Sequence, residues 1–176
     1  VNTGEVIWTM EYGFDSTVSQ PLYWNGLVFV NSGWIFEDNK PYFTREYAID
    51  PTGKGDVTKT HVKWMYQDEF PQIPTPVIAD GRMYFVHDRG LVSYIDAATA
   101  KLIWKQELKG NFNSSPILAA GNLYFFNVKG DCTIIKPGDH FEKVAENSIG
   151  ETVKAIPAFV DKGMVLRTDK HLYLIR

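Results

Sequence analysis

The sequence holds one cysteine, Cys132, in 176 residues. That excludes an intrachain disulfide and a cysteine-rich zinc site, and it leaves the redox compartment unread. No apolar run approaches the roughly 18–20 residues a membrane helix needs. The longest, around Gly26 to Val30, is strand-sized, so no membrane span is expected. Basic charge is not in excess: 18 Lys+Arg stand against 21 Asp+Glu, a net charge of −3, which argues against a nucleic-acid partner. Nothing sustains the i, i+3, i+4, i+7 spacing of a helix through three turns. EF-hand, HExxH, CxxC, GxSxG, Walker and GxGxxG patterns are all missing. His61, His140 and His171 have no metal-ligand spacing to one another, so no metal site is assigned. An initiator Met and a signal peptide are lacking too, and the start at Val1-Asn2-Thr3-Gly4 is read as a product of truncation or processing.

What is there points to short strands. Hydrophobic residues make up 44% and charged residues 22%, enough apolar material for a packed core. Aromatics are high at 14%, and 14 Gly with 9 Pro supply frequent turns.

Three columns of residues recur with one period. A strand opening with proline and followed by glycine appears as Pro21 to Gly26, Pro76 to Gly81, Pro116 to Gly121 and, more loosely, Pro157 to Gly163; the prolines are 55, 40 and 41 residues apart. Isoleucines closing a short alternating strand fall at Ile49, Ile95, Ile135 and Ile175. Trp8, Trp64 and Trp104 form the third column, which reaches Val144 after 40 more residues. A shared period of about 40 residues marks a tandem-repeat architecture.

Each unit reads as four strands. In the most regular copy they are Thr75 to Ala79, Arg82 to Val86, Leu91 to Ile95 and Lys101 to Gln106, with Asp80-Gly81 as a hairpin signal. The expected fold is therefore all-β, a β-propeller of four-stranded antiparallel blades, about four in this chain. A single propeller segment over 1–176 is expected, with 1–10 as the outer strand of a blade, blades at 18–67, 74–106 and 114–145, and three strands of a last blade at 154–176.

Ile95-Asp96-Ala97-Ala98-Thr99-Ala100-Lys101-Leu102-Ile103-Trp104 resembles the I-D-A-x-T-G-K-x-x-W signature of the pyrroloquinoline-quinone-like (PQQ-like) propeller repeat, and Asn2-Thr3-Gly4-Glu5-Val6-Ile7-Trp8 repeats its second half. The resemblance covers essentially the whole chain. It departs at Ala100, where the family has glycine, in an insertion after Asp50-Pro51-Thr52-Gly53, and at Lys136 and Arg176, which occupy the aspartate column. It implies that Trp8, Trp64 and Trp104 dock between blades, with Phe141 compensating for Val144 at the third joint. The quinoprotein dehydrogenases of the family place an adjacent Cys-Cys pair over the quinone. One cysteine cannot supply that pair, so no cofactor and no catalytic residue are assigned.

The least repetitive stretch is Gly33 to Phe43, between the second and third strands of the first unit, where the second unit has only His87-Asp88-Arg89-Gly90. Trp34, Phe36 and Tyr42 either fold onto a neighbouring blade or face a partner. His87 and Arg89 are either a solvated turn or a polar contact at the propeller face. Cys132 reads as a small buried hydrophobe.

The expected function is a non-catalytic binding or scaffolding module, meeting protein or carbohydrate at the propeller face. The alternatives are a fragment of a quinone-dependent alcohol or sugar dehydrogenase, or a carbohydrate-binding propeller. The resemblance implies an exported bacterial protein, periplasmic or extracellular. Because Arg176 matches Asp96 and Val1 matches Ala97 in the repeat, the chain is expected to be the C-terminal part of a longer propeller. The remaining blades, or a second copy, would then complete the ring, and the first and last strands would not pair within one chain.

Overall fold

The computed structural model describes residues 2–12, 18–35 and 43–176. Among them there is no helix, and the chain divides into two compact units, residues 1–72 and 73–176.

The first unit holds β1 (Trp8–Thr9), β2 (Leu22–Trp24), β3 (Leu27–Asn31), β4 (Glu46–Ile49), β5 (Gly55–Asp56) and β6 (Val62–Tyr66). Strands β2-β3-β4-β6 form a four-stranded antiparallel sheet. Strand β1 pairs in parallel with β5, Trp8 opposite Gly55. The insertion after Gly53 supplies β5, so the opening segment has an edge to join within this unit.

The second unit contains β7 (Val77–Ala79), β8 (Arg82–Val86), β9 (Leu91–Asp96), β10 (Leu102–Glu107), β11 (Ile117–Ala119), β12 (Asn122–Phe126), β13 (Asp131–Lys136), β14 (Glu142–Ser148), β15 (Ala158–Val160), β16 (Gly163–Arg167) and β17 (Leu172–Ile175). They form two four-stranded antiparallel sheets, β7–β10 and β11–β14, and a three-stranded one, β15–β17. This is the blade construction of an all-β propeller.

Local chemistry explains the repeats. The first hairpin of three sheets turns through two residues with positive φ, Asn25-Gly26 (47° and 78°), Asp80-Gly81 (50° and 79°) and Ala120-Gly121 (48° and 76°). Turns of this hand match the twist of the flanking strands. The Asp96 carboxylate accepts the Ala98 and Thr99 N–H groups at 3.1 and 2.9 Å and the Thr99 hydroxyl at 2.7 Å, which closes the turn into β10. Asp50 does the same for Thr52, and its second oxygen lies 3.1 Å from Lys63 Nζ.

The middle strands β8 and β9 are buried on both faces, whereas the outer strand β10 is mostly exposed. Between the second and third sheets lies one apolar cluster, built on Tyr84, Val86, Val92, Tyr94, Phe112, Leu123, Phe125 and Ile135. A smaller one, on Phe126, Cys132, Val153 and Leu166, lies between the third and fourth.

The tryptophan column slips by one residue in the third sheet. Trp104 lies opposite Tyr94, and the residue opposite the corresponding Ile134 is Ala145, not Val144. The turn from Lys136 to Glu142 is one residue longer than that from Asp96 to Lys101, which puts Val144 at the register shift and leaves it exposed. Phe141 does not compensate at the third joint. Its ring packs edge-on against Trp104, 5.7 Å between centroids, at the joint before.

Candidate functional site

The residues singled out for partner contact lie in the connections between the second and third strands of the sheets. In the first unit this connection is anchored at its base. Asn31 donates through Nδ2 to the Pro71 carbonyl (2.5 Å) and accepts the Gly33 N–H (2.6 Å). Ser32 donates to the Gly33 carbonyl (2.7 Å) and accepts the Arg45 N–H (2.8 Å). The Thr44 hydroxyl donates to the Phe70 carbonyl. A bridge pairs Ile35 with Phe43, and the Arg45 guanidinium sits 4.8 Å above the Phe43 ring. Trp34 is half-buried beside that bridge. Phe36 and Tyr42 lie outside the described residues.

Glu46 opens β4 at the same end and is 2% exposed. Counting back three residues from Ile49, Ile95 and Ile135 puts it in the column of Val92 and Cys132, an apolar core position. Burial pushes its carboxyl well above the usual range. One of its oxygens, Oε2, has no hydrogen-bond partner among the described residues.

In the second unit His87 and Arg89 share one tight turn. The His87 carbonyl accepts the Gly90 N–H (2.8 Å), and His87 Nδ1 accepts the Arg89 N–H (3.2 Å). Asp88 accepts the Ile73 N–H with its carboxylate and the Phe112 N–H with its carbonyl. The turn is thereby fastened to its flanking segments, with the Arg89 side chain exposed and His87 half-buried.

The next turn is braced by Asn127, whose Oδ1 accepts the Lys129 and Asp131 N–H groups while Nδ2 donates to Asp131 and to the Lys109 carbonyl. Hydrogen bonds from Asn127 and Ser148 hold the Asp131 carboxyl below its ordinary value. In the last sheet Thr168 donates to Glu151 Oε2 (2.6 Å), and His171 Nδ1 lies 2.9 Å from Glu151 Oε1 and 3.4 Å from the Tyr173 hydroxyl. The bonds from Thr168 and then His171 lower the Glu151 carboxyl. No motif marks this cluster in the sequence, because Glu151 and His171 stand twenty residues apart and meet only through the fold.

Trp104 is half-buried and donates through Nε1 to the Gly138 carbonyl at 3.0 Å. Trp64 packs on Phe29 with centroids 5.7 Å apart, and Trp8 is half-buried in β1. The residues present do not fit a quinone seat of the dehydrogenase type. Cys132 is flanked by Asp131 and Thr133, and burial pushes its thiol up to about 12. Among the described residues no group of three or more His, Cys, Asp or Glu side chains is placed to hold a metal ion.

Tandem four-stranded antiparallel sheets, two of them carrying an Asp–Thr turn (Asp50 with Thr52, Asp96 with Thr99) and an outer-strand tryptophan (Trp64, Trp104), define a PQQ-type β-propeller. A family model described as "Outer membrane protein assembly factor BamB" matches residues 1–138, and the chain belongs to that family. Among curated proteins it is similar to a tetrathionate hydrolase of Acidianus ambivalens, 22% identical over 69% of this chain and 27% of the relative. It is also similar to a polyvinylalcohol dehydrogenase of Sphingopyxis sp. (strain 113P3), 26% identical over 51% of this chain and 13% of the relative. The chain thus spans about a quarter or less of the curated relatives it matches. Among solved structures, the computationally designed Ika4 protein superposes with a TM-score of 0.69 at 10% identity, covering 99% of this chain and 100% of that one. A europium-containing methanol dehydrogenase gives 0.57 at 17% identity, covering 80% of this chain and 27% of that one. At these identities the structural likeness concerns the fold.

Proposed function

We propose that this chain is a non-catalytic binding or scaffolding segment of a PQQ-type propeller, acting in an exported protein of the periplasm or cell exterior. The observation that carries this reading is the match of residues 1–138 to a family described as an outer-membrane protein assembly factor. Two features support it. The lone Cys132 is a protonated wall residue between sheets, and the polar side chains Asn31, Ser32 and Asn127 are used to brace turns. Both units are read as one propeller segment, with Trp8, Trp64 and Trp104 as its docking tryptophans. Trp34 with Phe36 and Tyr42, and Arg89 with His87, form the partner-facing residues, and a protein segment is the proposed partner.

The second reading, a fragment of an alcohol-oxidising enzyme, is favoured by the match to a polyvinylalcohol dehydrogenase. One set of measurements separates the readings. The purified chain is offered periplasmic proteins, a glycan panel, and quinone plus calcium with an alcohol and a redox dye. A protein held by the native chain and released by Trp34→Ala or Arg89→Ala supports the scaffold. Glycan binding lost in Trp34→Ala moves the assignment to a carbohydrate-binding propeller. Saturable dye-linked oxidation overturns it in favour of the dehydrogenase.

A further inference from the structure

The three sheets of the second unit carry the same turn between their second and third strands, at 87–90, 127–130 and 168–171. In each, the side chain at the first position accepts the N–H of the third: Arg89 N–H to His87 Nδ1 (3.2 Å), Lys129 N–H to Asn127 Oδ1 (2.9 Å) and Lys170 N–H to Thr168 Oγ1 (3.2 Å). The second position is fastened through its backbone, Asp88 to Phe112, Val128 to Asn111 and Val153, and Asp169 to Thr152. The fourth is Gly90 or Gly130 in two turns, where a Cβ would lie 2.4 or 2.2 Å from a backbone oxygen of the following connection. The third position is exposed in all three turns, and each time it is basic: Arg89, Lys129 and Lys170.

This runs against the net charge of −3 on the whole chain. The connections at this end of the unit, 87–90, 108–116, 127–130, 149–157 and 168–171, add Lys109 and Lys154 to those three and hold three acids, Asp88, Glu151 and Asp169, an excess of two positive charges. Those at the opposite end, 80–81, 97–101, 120–121, 137–141 and 161–162, hold Lys101 and Lys162 against Asp80, Asp139 and Asp161, an excess of one negative charge. At the basic end the carboxylates are turned toward the protein. Asp88 accepts the Ile73 N–H, Glu151 accepts the Thr168 hydroxyl, and Asp131, at the start of β13, is bonded to Asn127 and Ser148. Beside the last turn opens a cavity of about 540 Å³, with Lys154 and Arg167 in its wall against one acid, Asp169.

The geometry points to this end of the second unit as the docking surface for an acidic protein segment, laid in extended form across the three turns with Arg89, Lys129 and Lys170 as its contacts. The inference deepens the scaffold reading above and rests on it. Packed sheets lie about 10 Å apart and an extended chain advances about 3.3 Å per residue, so about six residues reach from the first turn to the third. The turns are braced before a partner arrives, so little backbone order is lost on binding. Three turn cations on a chain of net charge −3 are too few to hold a nucleic-acid duplex, whose binding rests on many phosphate contacts.

The test uses the full chain and, as the probe, a labelled peptide of four Glu-Gly-Ser repeats. Fluorescence anisotropy should give saturable binding at low salt that weakens as salt is added. Arg89→Gln, Lys129→Gln and Lys170→Gln should each weaken it about threefold, and together about thirtyfold, with Tm unchanged because all three side chains are exposed. Lys101→Gln makes the same change of charge at the opposite end and should leave binding as it was. The peptide is measured directly, so its failure is separate from failure of the scaffold reading, under which protein capture lost in Trp34→Ala would still stand. Absence of saturable peptide binding, an equal loss in Lys101→Gln, or tighter binding of duplex DNA than of the peptide would each overturn the proposal.

Discussion

The Trp104 indole Nε1–H donates to the Gly138 carbonyl across the joint between the second and third sheets, 3.0 Å away. The same ring faces Tyr84 and Tyr94 of its own sheet and Phe141 of the next. One side chain thus joins two repeats by area and by a directed bond. Trp104→Ala is expected to cost about 3 kcal/mol, the low end for a tryptophan because the ring is half-buried. Trp104→Phe should keep most of the stacking and cost about 1 kcal/mol for the lost hydrogen bond. Urea unfolding of the three proteins gives both numbers, and a loss below 1 kcal/mol for Trp104→Ala would remove Trp104 from its docking role.

Glu46 should make this chain less stable as pH rises. Its folded-state value lies above its unfolded one because burial disfavours the charge. Its contribution is therefore fully present below the unfolded value near 4.5, and it is lost as pH climbs from there through the raised folded value. Asp50, Asp56, Asp131 and Glu151 are all lowered and act in the opposite direction, losing stability on acidification. The difference between native chain and Glu46→Gln isolates the one group. Glu46→Gln is expected to be the more stable protein at pH 7, with the gap closing toward pH 4. Thermal melts across that range decide it, and a gap independent of pH would refute the assignment.

Backbone sign at two turns gives a paired prediction. Ala100 holds φ +60°, a left-handed conformation that costs a side-chain-bearing residue roughly 1–2 kcal/mol. Ala100→Gly removes that strain but frees the unfolded chain by roughly 0.4–1 kcal/mol, so a net gain of about 0.5–1 kcal/mol is expected. Gly90 is the converse. Its φ is +100°, and a Cβ there would lie 2.4 Å from the Leu108 carbonyl oxygen, which is backbone and has no room to yield. Gly90→Ala should destabilise, and equilibrium denaturation of the two variants should give opposite signs.

Much of this fold was legible because its turns are written in local chemistry. Asp80-Gly81 has the positive φ pair the hairpin reading requires, and Asp96 with Thr99 closes the turn that the repeat signature marks. Counting columns failed where a turn changed length. The extra residue before β14 moved Ala145 into the tryptophan position, and no periodicity reports a register shift. The parallel pairing of β1 with β5 was equally hidden, since β5 is two residues inside an insertion. The candidate site was partly readable. His87 and Arg89 do share a turn, but buried Glu46 looked like an ordinary strand residue, and its column becomes apolar only when aligned with Val92 and Cys132.

Thr168 ties the last turn together, and its removal should leave two signatures. Its hydroxyl donates to Glu151 Oε2 at 2.6 Å and accepts the His171 and Lys170 N–H groups at 2.9 and 3.2 Å, with the residue buried. Thr168→Val preserves shape and deletes all three bonds, so about 1–3 kcal/mol should be lost at neutral pH. The hydroxyl is also the first cause of the lowered Glu151 carboxyl. That group contributes stability above its unfolded value, and the contribution is lost as pH falls through the lowered folded one. In Thr168→Val the Glu151 carboxyl moves back toward its ordinary value, so acid should destabilise the variant less steeply than the native chain. A parallel loss at every pH would show that Thr168 serves the backbone alone. Convergence of the two stability curves below pH 4 would show that the hydroxyl acts through Glu151.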